Sequence, residues 1–559
     1  MQNKFLHYYA FGREHFLEWL PIILVIVPVT IALLFTAFLN TDIGYLQLHS
    51  IDEYVFHGSL RHMYLSLLEG NISGLFGYGF YQYGFIYFFI NLVAVIPSLY
   101  LESSSYVIVI PRIITELFAI GSLLAVYNIA RLSLEKIPAA GFVLFFVTLP
   151  AFWYNATLFH PDWPMTFFLL ACVLFLARDR WQFSGNFYLA VACYSLAVAF
   201  KYQAVTAIPI LGLYIFYDQI RDVRISNLGK PIRLFLASCT TIVAIFLLAN
   251  PYVFHPIGFK VFVESFITNM KSNATNHGNA VAVSLIDKIN LAIGDYYVNI
   301  IFFFILNLAA FWLIWLFFKS RERNLFSILA INYTVNIGYL FVFVNKSWQV
   351  YYLPVLTSGL LLLLYFLSRL SQRKQNLAII FMIVVQIAIY APSYYHLITM
   401  SRDGTAPDFN TYSEIENAEI ENFIYDALRN NVSPEQYVLV TPYTPFPNEK
   451  LGLTYEQVRI ICGPLDASST DEEAYVRGQK SFWGDTKSEE EIALSFKPID
   501  YVVLRKDIPF IKTARIANVL DQEPYWKAAQ IVQDMYSGKL KYTVLAENQS
   551  VVIFKAYTD

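Results

Sequence analysis

The feature that most constrains this chain is a succession of stretches that stay apolar for as long as a helix needs to cross hydrocarbon. Lipid offers no partners to backbone N–H and C=O groups, so a spanning segment must satisfy them internally as a helix of roughly 17–25 apolar residues. Such stretches lie at 19–39, 106–130, 138–158, 163–178, 233–250, 298–318, 325–344, 350–368 and 377–396. The segment 187–217 is too long for one span, and "FKYQA" breaks it into two short ones. Composition agrees: 57% of residues are hydrophobic and 14% charged, against an apolar share of about 45–50% in soluble chains. The expected fold class is a polytopic α-helical membrane protein with about eleven spans. No cleaved signal peptide is expected, because the first forty residues run on too long and lack a small-residue cleavage site where one would be expected.

Orientation follows from Lys and Arg, which accumulate in short cytoplasmic loops. With the N-terminus inside, the clusters "RLSLEK" (131–136), "RDR" (178–180), "RDVR…GKPIR" (221–233), "KSRER" (319–323) and "RLSQRK" (369–374) are also inside, provided that 83–101 does not complete a crossing. That segment, with the preceding "GLFGYGFYQYG", is therefore read as interfacial or re-entrant. Of 23 Lys and Arg before residue 400, 16 then face the cytoplasm. The odd span count leaves the C-terminus outside.

Few charges remain for the outer face. Asp52, Glu53 and Arg61 stand in or beside "LHSIDEYVFHGSL" after the first span, with His49 and His57 around the two carboxylates. Arg112 opens a span, Asp162 sits in "LFHPDWP" beside His160, Lys201 marks the "FKYQA" break with Tyr202 next to it, and Lys346 lies in "NKSW". Any one of them could be a solvated loop charge. Asp162 argues against that for itself, because its loop is too short to carry a carboxylate far from the bilayer, where ionisable groups are costly and usually functional.

After residue 400 the texture changes. The tail holds 25 acids against 16 bases, and its apolar runs shorten to strand length at 436–442, 457–463, 500–506, 542–548 and 550–557, with helical patterns at 413–429 and 509–537. Two domains are expected: a transmembrane catalytic domain over 1–399 and a small α/β domain over 400–559, outside the membrane. Cys172, Cys193, Cys239 and Cys462 suggest no disulfide framework, and there is no Walker loop, dinucleotide fingerprint or internal repeat. No nucleic-acid partner is expected.

The ordered set formed by the "DE" pair after the first span, "TLPAFWYNATLFHPDWP", "FKYQAVTAIPILGLY", "NPYVFHP" and "WQVYYLPVLTSGLLLL" resembles the GT-C glycosyltransferases. The likeness spans roughly residues 15–400 and is closest to the branch of protein O-mannosyltransferases and lipid A aminoarabinose transferases. The flank "IDEYVFHGSL" only approximates the family's context, which leaves the acceptor class open.

The resemblance implies an enzyme that takes a sugar from a polyprenyl-phosphate carrier and passes it, with inversion, to a lipid, glycan or protein hydroxyl at the outer membrane face. The residues allow that chemistry. A hydroxyl needs a general base, for which Asp52 is the candidate, and a departing phosphate needs cations. Glu53 would orient the acceptor, and Asp162 would close the other side of the site. Lys201, Arg61, Lys346 and Arg112 would hold the phosphate, while His57, His160 and Tyr202 are further site candidates. If the site uses a divalent metal ion, Asp52, Glu53 and Asp162 would ligate it. The competing class is a polytopic transporter or lipid flippase, which calls for polar residues deep in the spans; here Glu116 is the main exception to their apolar character.

Overall fold

The computed structural model describes residues 2–39, 41, 51–101, 104–222, 228–275, 284–294, 297–320, 322–345, 349–399, 414–433, 435–440, 444–448, 450–453, 457–460, 499–506 and 542–556. The chain forms two compact units. One comprises Met1–Leu39, Ser59–Asn269 and Val283–Arg402, and the other Asn40–Gly58, Met270–Ala282 and Asp403–Asp559.

The first unit is helical, and the chain is an integral membrane protein. Among the described residues, seven helices are long and apolar enough to cross a membrane: Leu17–Ala37, Ser105–Arg131, Gly229–Ala249, Ile300–Lys319, Leu325–Phe343, Val350–Leu367 and Gln372–Ala391. The pair Lys136–Val147 and Pro150–Ala156 makes an eighth if taken as one span bent by 69°. The bend has a local cause. Pro150 has no N–H to continue the hydrogen-bond ladder, and the Thr148 hydroxyl turns back to the Phe145 carbonyl at 2.6 Å. The expected count of about eleven also includes helix Asp162–Asp179 and the two short helices on either side of Lys201; length and composition single out seven or eight. Helix Phe85–Tyr100, in the segment expected to be re-entrant, has 16 residues. At 1.5 Å per residue that is about 24 Å, less than the hydrocarbon thickness.

Much of the core of this unit is an apolar cluster that includes Leu123, Phe142, Trp163, Tyr194, Leu306 and Leu356. Outward faces stay apolar for lipid, as at Leu236, Val243 and Leu248. The spans are nevertheless less apolar inside than the sequence suggested. Gln386, Asn332 and Asn336 are buried. The Asn299 amide donates to Gln386 Oε1 at 3.1 Å, and that of Asn336 to the Thr206 carbonyl at 2.9 Å. Amides paired across helices escape the cost of an unsatisfied group in lipid and tie the bundle together.

In the second unit, five strands follow the order β2-β1-β3-β5-β4, where β1 is Val438–Val440, β2 Val458–Ile460, β3 Tyr501–Arg505, β4 Tyr542–Glu547 and β5 Val551–Ala556. β1 pairs in parallel with β2 and β3, and β5 runs antiparallel to β3 and β4. All five expected runs contain a strand. The β4–β5 turn is closed by Asn548, whose side-chain oxygen accepts from the N–H groups of Ser550 and Val551 at 2.9 and 2.7 Å. Strand alternation sends Val438, Val440, Tyr501 and Val503 to one face, where Ile420, Ile424 and Leu428 of helix Glu414–Leu428 cover them. Leu439, Val502, Leu504 and Phe554 line the other face. The second expected helix, 509–537, lies outside the described residues.

Candidate functional site

Two breaks in helical structure bring the site's charged groups together in the first unit. Helix Pro150–Ala156 is buried along its whole length, and the chain then turns through Thr157–Pro161. Helix Asp162–Asp179 starts immediately after Pro161, with Pro164 in its first turn, where a missing N–H costs nothing. Asp162 therefore opens this helix as a buried side chain. The second break follows Phe200, the last residue of helix Gly185–Phe200. Lys201 is extended, with φ −155° and ψ 125°, before a tight turn over Tyr202–Ala207 leads into helix Ile208–Ile215.

The loop before Phe85 docks on that extended residue. Tyr83 and Lys201 form an antiparallel backbone bridge, and Gly84 N–H donates to the Phe200 carbonyl at 2.9 Å. A Cβ on Gly84 would lie 1.6 Å from the Ala199 carbonyl oxygen, so only glycine permits this approach. Asn250 adds a clamp by accepting from Phe85 N–H at 2.8 Å. Inside the loop, Tyr78 donates to the Tyr83 carbonyl at 2.9 Å, while Ser59 donates to the Tyr78 carbonyl at 2.8 Å. Burial pushes the Tyr81 phenol up to about 12 and that of Tyr78 well above its ordinary value, so both remain protonated donors.

Around Asp162 the contacts are specific. Lys201 Nζ donates to Oδ1 at 2.7 Å, and His160 Nδ1 lies against Oδ2. His160 Nε2 is 3.2 Å from the Tyr83 hydroxyl, and the two rings meet edge to face at 5.1 Å. The Lys201 ammonium also stands 5.3 Å from the ring centre of Tyr83 and 5.9 Å from that of Tyr351, within cation–π reach. Gln203 fixes the second ring by donating to the Tyr351 carbonyl at 2.6 Å. Lys201, His160 and Asp162 are buried, whereas Tyr83 is half-buried.

The other expected site residues are placed as follows. Asp52 and Glu53 occupy the first turn of helix Ile51–Leu68, where the positive end of the helix favours carboxylates. Asp52 is half-buried, while Glu53 and His57, one turn apart, are both buried. Arg61 is half-buried farther along the same helix. Arg112 is buried, and its guanidinium donates to the Ala37 and Leu39 carbonyls at 3.1 and 2.6 Å, closing the end of the first helix. Tyr202 packs edge to face on Phe262 at 5.3 Å. Lys346 and His49 lie outside the described residues. Thus Asp162, Lys201 and His160 are brought together. Tyr83, Tyr351 and Gln203 join them without having been singled out; the glycine that follows Tyr83 is no distinguishing signal, because Tyr78 is followed by one too.

Among the described residues, no three His, Cys, Asp or Glu side chains are placed to hold a metal ion. Asp162, one of the expected ligands, has its oxygens against an ammonium and an imidazole, which does not fit a metal-ligating carboxylate.

No family model matches the chain, and no curated protein matches it. Solved structures do. ArnT from Cupriavidus metallidurans bound to undecaprenyl phosphate aligns with a TM-score of 0.52 and 13% identity, covering 96% of this chain and 99% of that one, and the apo state of ArnT gives the same values. Archaeal oligosaccharyltransferase AglB from Archaeoglobus fulgidus, in complex with an inhibitory peptide and a dolichol-phosphate, aligns with a TM-score of 0.46 and 12% identity, covering 85% and 69%. Because the match to ArnT runs through nearly the whole of both chains, the fold of this protein is the GT-C fold.

Proposed function

We propose that this protein is a membrane glycosyltransferase that moves a sugar from a polyprenyl-phosphate carrier to an acceptor hydroxyl. One observation carries the reading: within a fold shared with ArnT, a buried carboxylate–ammonium pair, Asp162 with Lys201, is assembled where two helices break. Burying such a pair costs desolvation energy that apolar packing would not, so its retention calls for a use. A structure of ArnT holds undecaprenyl phosphate, a ligand with one anionic group on a long apolar tail.

In this reading Lys201 and Arg61 meet the donor phosphate at the interface, with Lys346 as a further cation. Arg112, which already caps the first helix, contributes its charge. Asp52 takes the acceptor proton, Glu53 orients the acceptor, and His57 and Tyr202 are further candidates for contact with the substrates. Asp162 acts differently. With Lys201 and His160 already against it, it holds the cation in place and is poorly suited to take a proton. The acceptor oxygen attacks the anomeric carbon, its proton passes to Asp52, and the bond electrons to the phosphate leave with the carrier. No step is assigned to a metal ion. Residues 1–399 form the catalytic domain and 400–559 an outer domain, with the basic loops in the cytoplasm.

The test is consumption of undecaprenyl-phosphate-linked mannose and aminoarabinose by the purified protein. Asp52→Asn keeps the shape but cannot take the proton, so turnover should fall about 10²–10⁴-fold while undecaprenyl phosphate still binds. Full activity in that variant would remove Asp52 as the base. Orientation is tested separately by Gln182→Cys and Lys480→Cys in a cysteine-free background, which should label from opposite faces of the membrane.

A further inference from the structure

Asp162, His160 and Tyr83 form a chain in which each link fixes the polarity of the next. A carboxylate only accepts hydrogen bonds, so the His160 Nδ1 that faces Asp162 Oδ2 carries its hydrogen. Lys201 already balances the Asp162 charge, and a protonated His160 would add a second, uncompensated buried cation. With the Nδ1 hydrogen directed at Asp162, Nε2 is left as the acceptor nitrogen of the imidazole, and the Tyr83 hydroxyl, 3.2 Å away, is placed to donate to it. A phenol whose single hydrogen is so committed offers lone pairs in other directions. Tyr83 is also the half-buried member of the group, while the three behind it are buried.

From this we infer that Tyr83 is a substrate-binding residue that accepts a hydrogen bond from a carbohydrate hydroxyl and does not bind the donor phosphate, with His160 and Asp162 as the positioning residues that set its polarity. The inference rests on the glycosyltransferase reading above. It divides the labour at the bridge between the two strands of backbone: Lys201 meets the anion, and Tyr83 reads a neutral hydroxyl on the transferred sugar or on its acceptor.

Tyr83→Phe removes the hydroxyl and keeps the ring beside Lys201 and His160. Undecaprenyl phosphate alone should bind this variant as it binds the wild type, whereas Lys201→Met should weaken that binding. Binding of undecaprenyl-phosphate-linked mannose should weaken about 3–10-fold in Tyr83→Phe, the range expected for one lost hydrogen bond, if the sugar supplies the hydroxyl. If the acceptor supplies it, both lipids bind normally and kcat/KM for transfer falls by that factor instead. His160→Gln removes the imidazole link to the same hydroxyl, so it should reproduce the loss, and the double variant should be no worse than either single one. It also keeps the question open to test if Tyr83→Phe folds poorly. Equal weakening of undecaprenyl phosphate itself, unchanged binding and transfer, or additive losses in the double variant would each overturn the inference. A wild-type protein that consumes no lipid-linked sugar would instead remove the glycosyltransferase reading on which it stands.

Discussion

Helix Asp162–Asp179 begins and ends on a buried aspartate, and the two are satisfied in different ways. Asp179 takes its donors mainly from the turn that follows it: Phe183 N–H at 3.0 Å, Ser184 N–H at 2.7 Å and the Ser184 hydroxyl at 2.8 Å, with the Tyr214 phenol at 2.7 Å. All are neutral. In return the carboxylate holds Arg180, Trp181 and Phe183 at φ of 50°, 58° and 53°, the left-handed region that costs roughly 1–2 kcal/mol per residue. Trp181 then stacks on Tyr214 at 4.8 Å. Asp162 takes an ammonium from 39 positions along the chain and sits against an imidazole held in turn by a phenol from another loop. A buried carboxylate answered by its own turn serves the fold. One answered by an ion from a distant element, with an imidazole of its own preceding turn held by a phenol from elsewhere, carries charge that local folding does not require.

That contrast can be broken by experiment, starting where the effect should be largest. Asp162→Asn leaves Lys201 a buried cation without its carboxylate, so thermal unfolding in detergent should report a loss of about 3–5 kcal/mol, and lipid-linked sugar should no longer be consumed. Pairing that change with Lys201→Met replaces the ion pair by groups of similar bulk and should recover most of the stability but none of the turnover; a double variant as unstable as the single one would mean that the two charges do not act together. At the other end of the helix, Asp179→Asn turns an amide N–H toward backbone donors and should cost about 1–3 kcal/mol, with turnover per folded molecule unchanged. Activity lost there at full stability would erase the distinction between the two ends. The smallest effect belongs to Tyr214→Phe, which removes one of the four donors to Asp179 and should lower stability by about 0.5–1.5 kcal/mol.

The two ends were not equally legible in the sequence. "HPDWP" and "FKYQA" advertise their breaks, because proline stops the helical ladder and a charge interrupts an apolar run too long for one span. The strand-length runs after residue 400 were readable for a similar reason: their length and spacing suit strands and not spans. Which residues meet across the breaks could not be read, since Tyr83 and His160 are 77 positions apart and periodicity says nothing about contacts at that distance. Tyr83 was further hidden by composition, lying in a stretch with Tyr78 and Tyr81 where even the following glycine does not set it apart, since Tyr78 precedes Gly79. Arg112 shows the same limit: the sequence around it gives no sign that its guanidinium donates to the Ala37 and Leu39 carbonyls at the end of the first helix. The amides inside the spans escaped notice because their cost is cancelled by partners on other helices.

The bridge between Tyr83 and Lys201 makes the site a caliper. Its two jaws, a phenol and an ammonium, are carried by backbones locked to each other at the narrowest place glycine allows, with Gly84 against the Ala199 carbonyl. Beyond the bridge the gap is set by the side chains, and the ammonium is tethered to Asp162 Oδ1 at 2.7 Å, so a ligand that touched both jaws would be gauged by length as well as by charge.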